Sequence, residues 1–166
     1  MLIRMSGRFF STMAIKDLVQ GLDAAVPPEI REIGERLESR DFITVGLLVD
    51  RLKVHEPDGS LIRDNWIYIQ EPDVIVGRMQ IFNNWSPHMV ADPDKVWTGL
   101  EYFCFESDSL WRKSDQEMRE LAEAEMEKIG ILDRADVRDA TVIRVVKTYP
   151  AYFGAYARFG ELRHML

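Results

Sequence analysis

The sequence predicts an α+β fold: a mostly antiparallel sheet with helices packed on one face. Two observations carry this. Strand-like stretches follow one another through the middle of the chain in hairpin succession, while helical spacing is confined to the beginning and to one late segment. There is also no internal repeat or low-complexity segment to suggest another architecture.

Taken in order, residues 9–13 (Phe-Phe-Ser-Thr-Met) read as a short apolar strand entering a turn. A helix is expected over 14–22, with Ile15, Leu18, Val19 and Leu22 at helical spacing, and a second over 29–39 behind Pro27-Pro28, because proline tolerates a first helical turn. From Asp41 the period changes. The nearly continuous apolar run 42–52 suits a strand covered on both faces, and Glu56-Pro57-Asp58-Gly59 is a turn signal. Strands over 66–69 and 74–82, joined by a tight Glu-Pro-Asp turn, read as a hairpin.

A further aromatic-rich strand is expected over 99–105. Ser114-Asp115-Gln116-Glu117 is a capping box, with serine able to bond the third amide while Glu117 reaches back. The helix it opens sets Met118, Leu121, Ala122, Met126 and Ile129 on one arc and stops at Gly130. Valine, isoleucine and threonine make 137–147 the final strand.

The bulk numbers narrow the function classes. A chain of 166 residues is one ordinary domain by length, able to build a core without disulfides. A net charge of -7 argues against a nucleic-acid partner, which needs a basic face. The single cysteine, Cys104, excludes an intrachain disulfide or a cysteine-rich zinc site and fits a reducing cytoplasm. No apolar stretch approaches the roughly 18 residues of a membrane span. The opening Met1-Leu2-Ile3-Arg4-Met5, broken by Ser6-Gly7-Arg8, is a poor signal peptide, so a cytoplasmic location is expected.

Arg78 stands out, a guanidinium inside the apolar run Val74-Ile75-Val76-Gly77-Arg78-Met79, where a charge is costly unless paired or solvated. Its planar fork suits a carboxylate or a phosphate; pattern alone favours an ordinary ion pair with one of the 28 acidic residues. The cluster Asn83-Asn84-Trp85-Ser86-Pro87-His88 can hydrogen-bond a sugar or nucleotide while the indole packs on it, or can equally be a turn with Trp85 over the core. Tyr149, Tyr152 and Tyr156, downstream of Lys147, suit a pocket wall, a domain interface or plain packing. The acidic helix from Glu117 to Glu127 reads as a solvated face, except that Glu125 falls on its apolar arc. His88 has no companion at metal-ligand spacing, and Cys104 between aromatics looks like buried filler. There is no Gly-x-Gly dinucleotide loop, phosphate loop or Gly-x-Ser-x-Gly elbow.

Phe10-Ser11-Thr12-Met13, then Arg40-Asp41-Phe42-Ile43-Thr44-Val45, Glu101-Tyr102-Phe103-Cys104, Leu110-Trp111-Arg112-Lys113-Ser114-Asp115 and Lys147-Thr148-Tyr149-Pro150 occur in that order. Over nearly the whole chain this succession resembles the FAD-dependent superfamily of UDP-galactopyranose mutase, protoporphyrinogen oxidase and amine-oxidase-like proteins. Bacterial NAD(P)/FAD-dependent oxidoreductases, some linked to polysaccharide synthesis, are the members it is most similar to. The segment Val76-Gly77-Arg78-Met79 resembles a mutase Tyr-Thr-Arg-Ile segment whose arginine contacts substrate diphosphate, which makes Arg78 the candidate anion contact. The phenylalanine, asparagine and tryptophan that follow depart from the mutase pattern.

The resemblance implies a single substrate-binding-type domain over 1–166, a sheet-and-helix piece without the two FAD-binding portions of such enzymes. Substrate-binding residues are then expected among Arg78, Asn84, Trp85, Tyr102, Lys147, Tyr149 and Tyr152. No cofactor is expected on this chain alone; FAD belongs to the complete family enzyme, where the flavin supplies the redox chemistry. The implied partners are a flavin-binding domain or subunit and a small molecule of the nucleotide-sugar kind. Self-association through an uncovered apolar face is expected as well. The rival reading is a stand-alone binding or subunit-interaction module without redox activity. A cofactor-free enzyme is disfavoured, since no acid–base pair or nucleophile stands out.

Overall fold

The computed structural model describes residues 10–22 and 26–166. The chain forms two compact units, one comprising Arg40–Tyr149 and the other the segments that flank it.

The larger unit holds the sheet. Its strands are β1 (Ser39–Val49), β2 (Trp66–Tyr68), β3 (Arg78–Ile81), β4 (Val96–Cys104) and β5 (Val137–Pro150), in the spatial order β2-β3-β4-β1-β5. β2 with β3, β3 with β4, and β1 with β4 are antiparallel. β5 runs against β1: the Asp50 amide donates to the Asp136 carbonyl at one end, and the Lys147 amide donates to the Asp41 carboxylate at the other. The expected antiparallel α+β fold is therefore the one observed.

Register separates the two faces of the sheet. Met79, Leu100 and Val45 stand opposite one another across three strands, as do Ile81, Thr98 and Leu47. All are buried, and with Ile43, Val49, Tyr102 and Cys104 they meet Met118, Ala122 and Met126 of α4 (Asp115–Lys128). These three are members of the arc that the helical spacing predicts. The capping box at Ser114 forms in both directions, and Gly130 closes the helix with a φ of 77° that side-chain-bearing residues rarely adopt.

The opposite face carries Arg78, Glu101 and Thr44 in one cross-strand row, and Gln80, Gly99 and Gly46 in the next. The two glycines make room for large rings. A β-carbon on Gly99 would lie 2.7 Å from the Phe82 ring, and one on Gly46 3.3 Å from the Trp97 ring and 2.9 Å from Thr141. Phe82 begins the single-turn helix α3 (Phe82–Trp85).

Several boundaries differ from expectation for identifiable reasons. Residues 10–13 are not in a strand, and Phe9 with the opening segment lies outside the described residues. The strand expected over 74–82 shortens to β3, because the Ile75 and Val76 amides donate to the Glu125 carboxylate at 2.7 and 3.1 Å. The strand expected over 42–52 begins earlier and ends at Val49; the next residue, Asp50, pairs with Lys95 and Arg138. The final strand extends past 147 to Pro150.

The smaller unit contains α1 (Ile15–Gly21), α2 (Pro28–Glu35) and α5 (Phe159–Met165). Val19, Val26, Ile33 and Leu162 are its buried core. α1 and α2 approach closely because Gly34 has no side chain: a β-carbon there would lie 2.8 Å from Val19. The helix expected over 29–39 stops at Glu35, and the chain enters β1 at Ser39.

Candidate functional site

The candidate site lies on the sheet face opposite α4. Arg78 and Glu101 stand directly across from each other on β3 and β4, and both are buried. One guanidinium nitrogen, Nη2, donates to the Glu101 carboxylate and also to the Tyr149 hydroxyl at 2.8 Å. The second Glu101 oxygen accepts from the Gln80 side chain, so both carboxylate oxygens are engaged. The Arg78 Nε is buried with no partner. Burial works against the Arg78 charge, but hydrogen bonds to Tyr149, Glu101 and Tyr68 outweigh it and raise the guanidinium above its ordinary range.

Aromatic rings roof this pair. The guanidinium carbon lies 4.1 Å from the centre of the Trp66 ring and 5.3 Å from that of Phe103, cation–π distances that compensate for lost water. Trp66 and Tyr68 are two apart on β2, so they project to the same side, and their planes differ by 17°. Trp85, from α3, extends the surface at 6.5 Å from Trp66. Tyr149 packs between Phe103 and Phe42. The rings remain open to solvent on their outer sides: Tyr68 is 66% exposed, Trp85 47%, Trp66 43% and Tyr149 37%.

Tyr149 reaches this position through a local irregularity in β5. Lys147 has a φ of 54°, uncommon for a residue with a side chain, and its amide is held by the buried Asp41 at 2.7 Å. The other Asp41 oxygen accepts from the Glu106 amide. Asp41 thus pins the ends of two segments beside the site.

Of the residues singled out from sequence, Arg78, Trp85 and Tyr149 come together here. Arg78 forms the kind of ion pair that pattern alone favours, its partner being Glu101, and shares the cluster with Tyr149. Asn84 stands beside Trp85, but its side-chain amide donates to the Ile62 and Asp64 carbonyls and anchors that loop. Lys147 is exposed and contributes the turn in β5. Tyr102 lies on the other face under α4, fully buried, its hydroxyl without a hydrogen-bond partner. Burial, with the Glu125 carboxylate second, pushes that phenol far above its usual range. Tyr152 belongs to the smaller unit, where its ring meets Tyr156 edge-on at 4.9 Å.

Trp66, Tyr68, Glu101 and Gln80 belong to the site although they are not among the substrate-binding residues expected from sequence, where Trp66, Tyr68 and Gln80 stand out only as parts of the segments 66–72 and 77–87 that end strand-like stretches. The alternation of Trp66 and Tyr68 is a signal that two neighbouring rings share one side. Glu101 in an aromatic strand is as anomalous as Arg78, and the two anomalies answer each other. Cys104 is buried, and its thiol is raised by burial first and then by Asp108 and Asp41, which disfavours the thiolate. Among the described residues, no group of three or more His, Cys, Asp or Glu side chains is placed to hold a metal ion, and no helix is long and apolar enough to cross a membrane.

No known family model and no curated protein matches this sequence. Solved structures do match the fold. A reduced UDP-galactopyranose mutase superposes with a TM-score of 0.64 at 19% identity, over 92% of this chain and 31% of that one. A putative protoporphyrinogen oxidase from Exiguobacterium sp. 255-15 superposes with a TM-score of 0.60 at 19% identity, over 93% of this chain and 32% of that one. The chain thus spans about a third of the length of these structures, and its fold is that of a portion of UDP-galactopyranose mutase and of that putative protoporphyrinogen oxidase.

Proposed function

We propose that this chain is the substrate-binding part of a flavin-dependent oxidoreductase or UDP-galactopyranose-mutase-like protein, acting with an FAD-binding domain or subunit and not catalytic by itself. The observation that carries the reading is the aromatic shelf over the buried Arg78–Glu101 pair, set on a sheet whose fold coincides with part of two such proteins. Exposed rings around one anchored polar group are what a small-molecule surface needs: apolar area for contact and a directional donor for orientation. Tyr149 supplies the donor. Its oxygen accepts from Arg78, so its own proton is left for a substrate oxygen.

In this reading Trp85 and Tyr149 face the substrate, a nucleotide sugar of the kind used in polysaccharide synthesis, and Arg78 lies beneath the rings and holds the Tyr149 hydroxyl. Asn84 and Lys147 shape the surrounding loops, Tyr102 supports the sheet from behind, and Tyr152 meets a neighbouring surface. On this reading the protein works in the cytoplasm, a reducing compartment that a single unpaired Cys104 suits.

The test is calorimetric titration of the purified chain with UDP-galactose, repeated on Tyr149→Phe. Saturable binding that weakens about tenfold in the variant is expected, the loss of one well-placed hydrogen bond. The preparation should be colourless, with the redox cofactor on the partner. A stoichiometric yellow flavin after gel filtration, or no saturable binding, would overturn the reading.

The second reading, a subunit-interaction module without redox activity, is favoured by apolar residues on the edge strand β5, where Ile143 is 53% and Val146 48% exposed. Sedimentation separates the two. Tight self-association that Ile143→Lys abolishes, without any nucleotide-sugar binding, supports this alternative.

A further inference from the structure

We infer that the shelf grips an uncharged planar ring of its ligand by stacking, and that Glu101 is the specificity-determining residue that closes the site to anions. The inference rests on the substrate-binding reading above and assigns its chemistry. It departs from the diphosphate contact that the resemblance implies for Arg78.

The geometry around Arg78 leaves little for a phosphate. Its charge is cancelled by Glu101 at hydrogen-bonding distance, so an approaching anion meets a neutral pair whose carboxylate repels it. Glu101 is held on its second oxygen by Gln80 and is only 3% exposed, so swinging away would leave a buried, unpaired charge. Nη2 donates twice, to Glu101 and Tyr149, and Nε is sealed from solvent. A bidentate grip on an anion uses Nη2 on either edge of the fork, and both of its protons are already taken.

The rings offer what the guanidinium does not. Trp66 and Tyr68 lie nearly parallel and stacked, their ring centroids 6.0 Å apart, and the cation packs against Trp66 and stiffens the pair. A flat conjugated ligand can extend that stack over the exposed side of the rings, with Tyr149 donating to a carbonyl at its rim. Any phosphate attached to that ring would then be held by other groups.

The experiment compares uridine, UDP and inorganic pyrophosphate as probes of the purified chain by calorimetry. The wild type should bind uridine and UDP with affinities within about threefold of each other, and pyrophosphate should not compete. Glu101→Gln is nearly isosteric and uncovers the Arg78 charge; it should shift the preference toward UDP by about tenfold or more. Trp66→Ala, at a half-exposed position that the core does not need, should weaken uridine at least about tenfold. UDP binding at least about tenfold tighter than uridine in the wild type, with competition by pyrophosphate, would overturn this inference and leave the substrate-binding reading standing. Uridine binding unchanged in Trp66→Ala would overturn it too. If neither uridine nor UDP binds, both the inference and the reading fall.

Discussion

The two faces of the sheet solve the problem of burying a strand side in different ways. The face under α4 is almost wholly apolar: Ile43, Val45, Leu47, Met79, Leu100 and Tyr102 meet Met118, Ala122 and Met126. The other face buries a charge pair and roofs it with rings whose outer sides stay wet. The first is stabilised by area removed from water, roughly 25 cal/mol per Å² of apolar surface. The second depends on each charge keeping its partner, because a buried ion pair contributes little net stability while half of one is strongly unfavourable. A face made only for packing would use apolar residues at 78 and 101. An ion pair under exposed rings sets this face apart from one shaped only for a core, and the proposed binding role rests on that difference.

That contrast can be broken from either side. The largest effect is expected from Glu101→Ala, which strands the Arg78 charge beneath the rings and should lower unfolding free energy by about 3–5 kcal/mol in urea titration. A loss below about 1 kcal/mol would mean that water reaches Arg78 and the pair is not sealed. On the α4 face, Met126→Ala should cost about 2–5 kcal/mol through the cavity it leaves, whereas Trp85→Ala on the wet face should stay below about 1 kcal/mol. Equal losses at the two positions would erase the distinction between core and shelf.

A smaller effect sharpens the comparison through pH. The Tyr102 phenol is raised by burial and by Glu125 relative to the unfolded chain. Its contribution is therefore fully present below the ordinary phenol range near pH 10 and is lost as the pH rises toward the folded-state value. Tyr102→Phe should flatten the alkaline decline in melting temperature. At neutral pH it should leave stability unchanged or slightly raised, since the hydroxyl it removes has no partner. An unchanged alkaline decline would show that other groups cause it.

The sequence made the packing face legible and hid much of the other. Local pattern placed α4 and its apolar arc, the capping box and the succession of strands along the chain, because each depends on neighbours three, four or two residues away. Arg78 was conspicuous because it breaks an apolar run, but its partners Glu101 and Tyr149 lie 23 and 71 residues away and are set by strand register. The shortening of β3 was hidden for the same reason. Its amides are taken by Glu125, a helical residue 50 positions from Ile75, and local propensity cannot report that competition. Asp41 behaves likewise: an ordinary aspartate at a strand start, it holds the turn at Lys147 that aims Tyr149.

The most direct test of the claim that the ring-covered face is the binding face is to map a ligand on it. Uridine titrated into isotopically labelled chain should shift the indole signals of Trp66 and Trp85 and the amides of β2, β3 and the 101–103 stretch of β4, while the amides of α4 stay in place. Shifts centred on α4 or on the smaller unit, with Trp66 and Trp85 unmoved, would contradict the account.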